Sequence, residues 1–126
     1  MHNAINWFEI PCSDLDRAQA FYETVLGRSL RREDFGGGTM AVFPHEKPAT
    51  GGCLLRGAPA VSAAADPGQS VRIYLDCMPS IDAVLARVPA AGGQVVAPKM
   101  ALPAGLGFIA QLRDTEGNQI GLHAVA

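Results

Sequence analysis

A chain of 126 residues, 48% hydrophobic and 17% charged, carries enough apolar material for one packed core and too much for a disordered polymer. Its formal net charge of -2, with no run of Lys or Arg, argues against a nucleic-acid partner. No apolar run is long enough to span a membrane. The opening Met1-His2-Asn3-Ala4 has neither the basic nor the apolar segment of a secretion signal. The three cysteines, Cys12, Cys53 and Cys77, form no C-x-x-C pair. A cytoplasmic protein with reduced, buried thiols is the expectation.

Residues 5–11 alternate as a strand, with Phe8 and Ile10 on one face and Trp7 and Glu9 on the other. Leu15, Ala18, Phe21, Tyr22, Val25 and Leu26 follow at helical spacing, with Asp14 suited to cap the start and Gly27 to stop the end. Strands are expected at 27–32, 40–43 and 52–56, with Gly36-Gly37-Gly38 as a hairpin turn. No helix start follows those glycines, so they are not a phosphate loop. These elements make a first module, 1–58. The Ala/Pro/Gly-rich run after it predicts a linker at 59–69.

A second module, 70–126, repeats the order within the same single domain. Val71, Ile73 and Leu75 share one face of a strand over 71–77, and Arg72, Tyr74 and Asp76 the other. Ser80 then opens a helix on Ile81, Val84, Leu85 and Val88, which Pro89 must bend or loosen near Val88. Strands follow at 93–97, 108–112 and 119–124. At an offset of about 65 residues, Phe8 falls on Ile73, Ile10 on Leu75 and Cys12 on Cys77. The fold class is α+β, with two βαβββ modules forming a cup-shaped mixed sheet and the helices on its outer face.

The helix-facing positions are ordinary core. The opposite face is not, because it sets Trp7 and Tyr74 beside Glu9, Arg72, Asp76, Gln119, Gly121 and His123. Such a mixture suits a concave pocket for a small molecule, or else a wet sheet face with Glu9 and Arg72 paired. Glu9 is read as a buried carboxylate at the cup floor. It could act as a base or hold a cationic ligand, or it could serve only as the partner of Arg72. Arg72 could grip a carboxylate or phosphate, and Trp7 and Tyr74 could stack on a flat ligand or pack the wall. Gln119 and His123 complete the ligand-binding set, although His123 could equally lie at a seam between subunits. No nucleophile arrangement is evident. Cys12 and Cys77 stand beside helix starts, where a thiol pKa can fall.

Ile10-Pro11-x-x-Asp14-Leu15-Asp16-Arg17-Ala18-x-x-Phe21-Tyr22-x-x-Val25-Leu26-Gly27 resembles the opening of the vicinal oxygen chelate superfamily of glyoxalases, bleomycin-resistance proteins and extradiol dioxygenases. Asp114-Thr115-Glu116-Gly117-Asn118 is similar to that superfamily's turn before its last strand. The resemblance implies paired modules around a ligand cup, a homodimer, and in the enzymes one divalent metal held from the first and last strand of each module. Carried over, those positions are Trp7, Arg72, Gly121, and Leu54 or Leu55, none of which is a metal ligand. Glu9 and His123, or His45 and Glu46 in the loop at 44–51, give too few donors to replace them. The sequence therefore predicts no metal, no other cofactor, and a bound small organic molecule. The alternatives are a metal-dependent lyase, isomerase or dioxygenase with an unusual site, or a metal-free enzyme with Glu9 as base.

Overall fold

The computed structural model describes residues 4–35, 38–57 and 71–125. Module one runs β1 (Trp7–Cys12), α1 (Leu15–Leu26), β2 (Arg31–Phe35), β3 (Gly38–Val42) and β4 (Gly51–Arg56). The second half repeats that order as β5 (Tyr74–Asp76), α2 (Ile81–Arg87), β6 (Gln94–Ala101), β7 (Phe108–Arg113) and β8 (Gln119–Ala124). Each module makes a four-stranded sheet of the same topology, β1-β4-β3-β2 and β5-β8-β7-β6. The first strand of each runs parallel to the last, and the remaining pairs are antiparallel. The helix is the crossover that carries the chain from one sheet edge to the other.

The local chemistry explains where the elements stop. Asp14 accepts from the Arg17 amide at 3.0 Å, and Gly27 takes φ 68 with its N–H on the Glu23 carbonyl. The Glu23 carboxylate then accepts from the Leu30 amide at 2.8 Å. That bond holds the chain leaving α1, so β2 starts at Arg31 and not at Gly27 as the sequence suggested. In module two, Ser80 caps the Ala83 amide and α2 ends at Arg87. The Val88 amide bonds the Leu85 carbonyl three residues back at 3.2 Å, so the α-helical pattern gives way ahead of Pro89 as expected. β5 is shorter than expected, and Val71 ahead of it is 92% exposed. β3 starts earlier and β6 runs further than their patterns suggested. Phe35 and Gly38 pair across the β2–β3 hairpin. Residues 36–37, and the linker expected at 59–69, lie outside the described residues.

The helix-facing side chains of both modules form one cluster, including Phe21, Tyr22, Leu54, Ile81, Leu112 and Leu122. Burial of each such side chain is worth roughly 1.5–3 kcal/mol. Phe21 reaches across the joint to Gly93, where an added Cβ would meet its Cε1 at 2.6 Å.

A polar seam completes the joint. The Glu116 side chain, in the turn between β7 and β8, is only 1% exposed. Its Oε1 accepts from the Ser13 amide, the Ser13 hydroxyl, the Asp14 amide and Arg17 Nη2, each at 3.0 Å. Its Oε2 accepts from Arg17 Nε at 2.7 Å and from Thr115 at 3.0 Å. One carboxylate from module two therefore serves donors at the start of the module-one helix. Beside it, buried Asp114 accepts the Tyr22 hydroxyl at 2.6 Å and the amides of Glu116 and Asn118 at 2.8 Å. Asn118 Nδ2 donates to the Pro11 carbonyl at 2.8 Å, and Arg87 Nε donates to the Val25 carbonyl at 3.0 Å.

Candidate functional site

The sheet faces turned away from the helices carry the residues singled out by alternation, and they fall into two groups. On module one, Trp7 stands in register with Gly51, and Glu9 with Cys53. Trp7 is 41% exposed. Its ring meets His45 edge-on, with centroids 6.2 Å apart. His45 is fixed by Nδ1 donating to the Phe43 carbonyl at 3.1 Å, and it lies over Gly51. A Cβ at Gly51 would come within 2.5 Å of its Nε2. Glu9 is exposed, which corrects the expectation of a buried carboxylate. Cys53 below it is fully buried. Burial, then the charge of Glu9, pushes that thiol up from its ordinary value.

On module two, Tyr74 pairs with Gly121, and Asp76 with His123. The Tyr74 ring lies on Gly121, where a Cβ would meet Cδ1 at 2.3 Å. Gln119 Nε2 donates to Gln111 Oε1 at 2.6 Å, and Gln111 Nε2 approaches the Tyr74 hydroxyl at 3.5 Å. His123 is half-buried, with Nε2 donating to the Leu106 carbonyl at 2.7 Å, so it holds the loop between β6 and β7. Arg72 is half-buried just ahead of β5. Gln111 was missed in the sequence. The alternation of β7, with Ala110 and Leu112 buried on the opposite side, carried the signal that places it on this face.

Two hollows of about 660 and 710 Å³ lie on module one. The first is lined by residues that include Arg31, Phe43, His45 and Lys47, the second by residues that include Asp14, Arg32, Thr39 and Arg56. None of Trp7, Glu9, Arg72, Tyr74, Gln119 or His123 lines either one.

The thiols are not activated. Burial pushes Cys12 up to about 11, with the carboxylates of Glu116, Asp114 and Asp14 adding to it. Burial likewise pushes Cys77 up to about 11. The helix starts beside them do not offset the loss of solvent, and all three cysteines are buried, as expected of small apolar side chains.

The side chains at the implied metal positions do not fit a divalent ion. Trp7 and Leu54 offer no donor, Arg72 is a cation, and the Tyr74 ring covers Gly121. Leu54 faces the core and is 0% exposed. Among the described residues, no three of His, Cys, Asp and Glu are grouped so as to hold an ion. Nor is any helix among them long and apolar enough to cross a membrane.

The family model for the Glyoxalase/Bleomycin resistance protein/Dioxygenase superfamily matches residues 4–122. The chain belongs to that superfamily. Among solved structures it is similar to a glyoxalase/bleomycin resistance protein from Streptomyces sp. CB03234, at 27% identity and TM-score 0.69, covering 95% of this chain and 99% of the other. It is similar to TnmS3, an antibiotic binding protein from the same organism, at 27% identity and TM-score 0.68, covering 98% and 96%. It shares its fold with the genomically encoded fosfomycin resistance protein FosX from Listeria monocytogenes, at 17% identity and TM-score 0.64, covering 98% and 94%. A search of curated protein sequences gives no match.

Proposed function

We propose that the chain binds a small organic molecule on the helix-free faces of its sheets, without the metal used by enzymes of the superfamily. The observation that carries this is the presence of aromatic surface at the metal positions. Trp7 occupies one of them, and Tyr74 covers Gly121 at another. Both rings keep over two-fifths of their surface exposed, at 41% and 43%. Exposed aromatic rings backed by fixed polar groups suit a flat ligand. Likeness to an antibiotic binding protein supports the reading. Glu9, Arg72, Gln119 and His123 would supply the polar contacts. A cytoplasmic setting fits three thiols that form no disulfide.

Trp7 is the only tryptophan, so its fluorescence reports this face without ambiguity. Protein stripped with a strong chelator should still show saturable Trp7 quenching against a diverse aromatic library. Loss of that response on chelation, restored by one divalent ion per chain, would overturn the metal-free reading.

The working form is proposed to be a homodimer. β1 and β5 are edge strands of their sheets. Val96, Met100 and Leu106 in module two are 40%, 58% and 58% exposed. Open edges and exposed apolar side chains both favour a covering surface. Sedimentation equilibrium should give twice the chain mass of 13.2 kDa. A monomer at micromolar concentration would exclude the dimer.

A further inference from the structure

We infer that Tyr74, Gln111 and Gln119 form an uncharged row that reads a hydrogen-bond acceptor at the edge of a flat, uncharged ligand, with Gln111 setting the specificity. The inference rests on the small-molecule reading above and names the ligand class.

Gly121 is the centre of the row. Its register partners are Tyr74 on β5 and Gln111 on β7, so the three residues lie side by side across three strands. A Cβ on Gly121 would sit 2.3, 2.4 and 2.6 Å from Cδ1, Cε1 and Cγ of Tyr74. The glycine therefore leaves a channel one side chain deep, and the phenol ring lies along it. Its hydroxyl then reaches Gln111 Nε2 at 3.5 Å, while Gln111 Oε1 takes the Gln119 amide at 2.6 Å.

That order fixes what the row can offer. Gln119 donates to Gln111, and Gln111 donates towards the Tyr74 oxygen. The phenol proton is left to point out of the row as a donor. The ring beside it presents a face for stacking. No member of the row carries a charge, so an ionic group placed here gains no counter-charge from it. A neutral planar molecule with a carbonyl oxygen meets both demands. Gln111 touches both other members, and without it the phenol loses the partner that aims its proton.

The experiment compares two neutral bicyclic probes, coumarin and its carbonyl-free analogue 2H-chromene, by equilibrium dialysis. Coumarin should bind about five- to tenfold more tightly, the worth of one neutral hydrogen bond. In Gln111→Leu and in Tyr74→Phe the ratio of coumarin to chromene affinity should fall towards one. Tyr74→Phe keeps the ring and its seat on Gly121, so it preserves the result if Gln111→Leu folds poorly. An unchanged ratio in both variants, or chromene binding as tightly as coumarin, overturns the inference. If neither probe binds while other library compounds quench Trp7, the inference fails and the binding reading stands. If no compound binds, both fail.

Discussion

Glu116→Gln should lower the unfolding free energy at neutral pH by about 1–3 kcal/mol, the scale of leaving buried donors without their acceptor. The amide keeps the shape of the carboxylate but sets an N–H against donors that the carboxylate accepts from. Those donors are the Ser13 and Asp14 amides and Arg17. The pH dependence separates charge from shape. Burial pushes the Glu116 carboxyl up. The Arg17 side chain, the Asp14 amide, Thr115 and Ser13 outweigh it, and the group falls from 4.5 to about 2. A carboxyl lowered on folding contributes stability that is complete above its unfolded value and lost as pH falls through its folded value. The contribution here should therefore be full above pH 4.5 and fade towards pH 2, amounting to about 2–3 kcal/mol. Urea unfolding of wild type and Glu116→Gln between pH 5 and 2 should converge as the pH drops. Parallel curves would show that the charge of Glu116 contributes nothing.

Asp114→Ala should be as damaging, costing about 2–4 kcal/mol by stranding the buried Tyr22 hydroxyl and two half-buried turn amides at once. The Tyr22 hydroxyl, completely buried, loses its acceptor, and the amides of Glu116 and Asn118 lose theirs. Burial, then the charge of Asp114, raises the Tyr22 phenol well above its ordinary value, so it remains a donor throughout the usable pH range. Tyr22→Phe removes one bond of this set and should cost only about 1 kcal/mol. Because the Glu116 amide itself bonds to Asp114, the double variant with Glu116→Gln should fall short of additivity by about 0.5–3 kcal/mol. Strict additivity in thermal unfolding would mean that the two carboxylates work independently.

The modules were legible because each level of the sequence repeats. Asp14 and Ser80 cap, Gly27 stops the first helix, Pro89 loosens the end of the second, and the alternation in β1 and β8 separates core from face. Boundaries were less legible where a side chain intervenes, as when Glu23 captures the Leu30 amide and delays β2. The seam was invisible for a different reason. Ser13 and Glu116 are 103 residues apart, and no local pattern announces such a contact. On the candidate site, alternation placed Trp7, Glu9, Tyr74 and His123 on the faces turned away from the helices. It could not show that His123 is engaged by Leu106, or that an empty position at Gly121 lets Tyr74 lie flat against Gln111. A glycine reads as missing chemistry in a sequence, and in the fold it sets what its neighbours can reach.

The distance spanned by the seam also bears on how the protein is made. A ribosome adds about 5–20 residues each second. Ser13 and Arg17 therefore wait roughly five to twenty seconds after their own synthesis for the carboxylate that completes their surroundings. During that interval the nascent first half lacks the second half's share of the core, and Tyr22 has no acceptor. Cotranslational maturation of this chain is thus gated by its last two strands, and a stall before Glu116 would leave an apolar helix face open to chaperones.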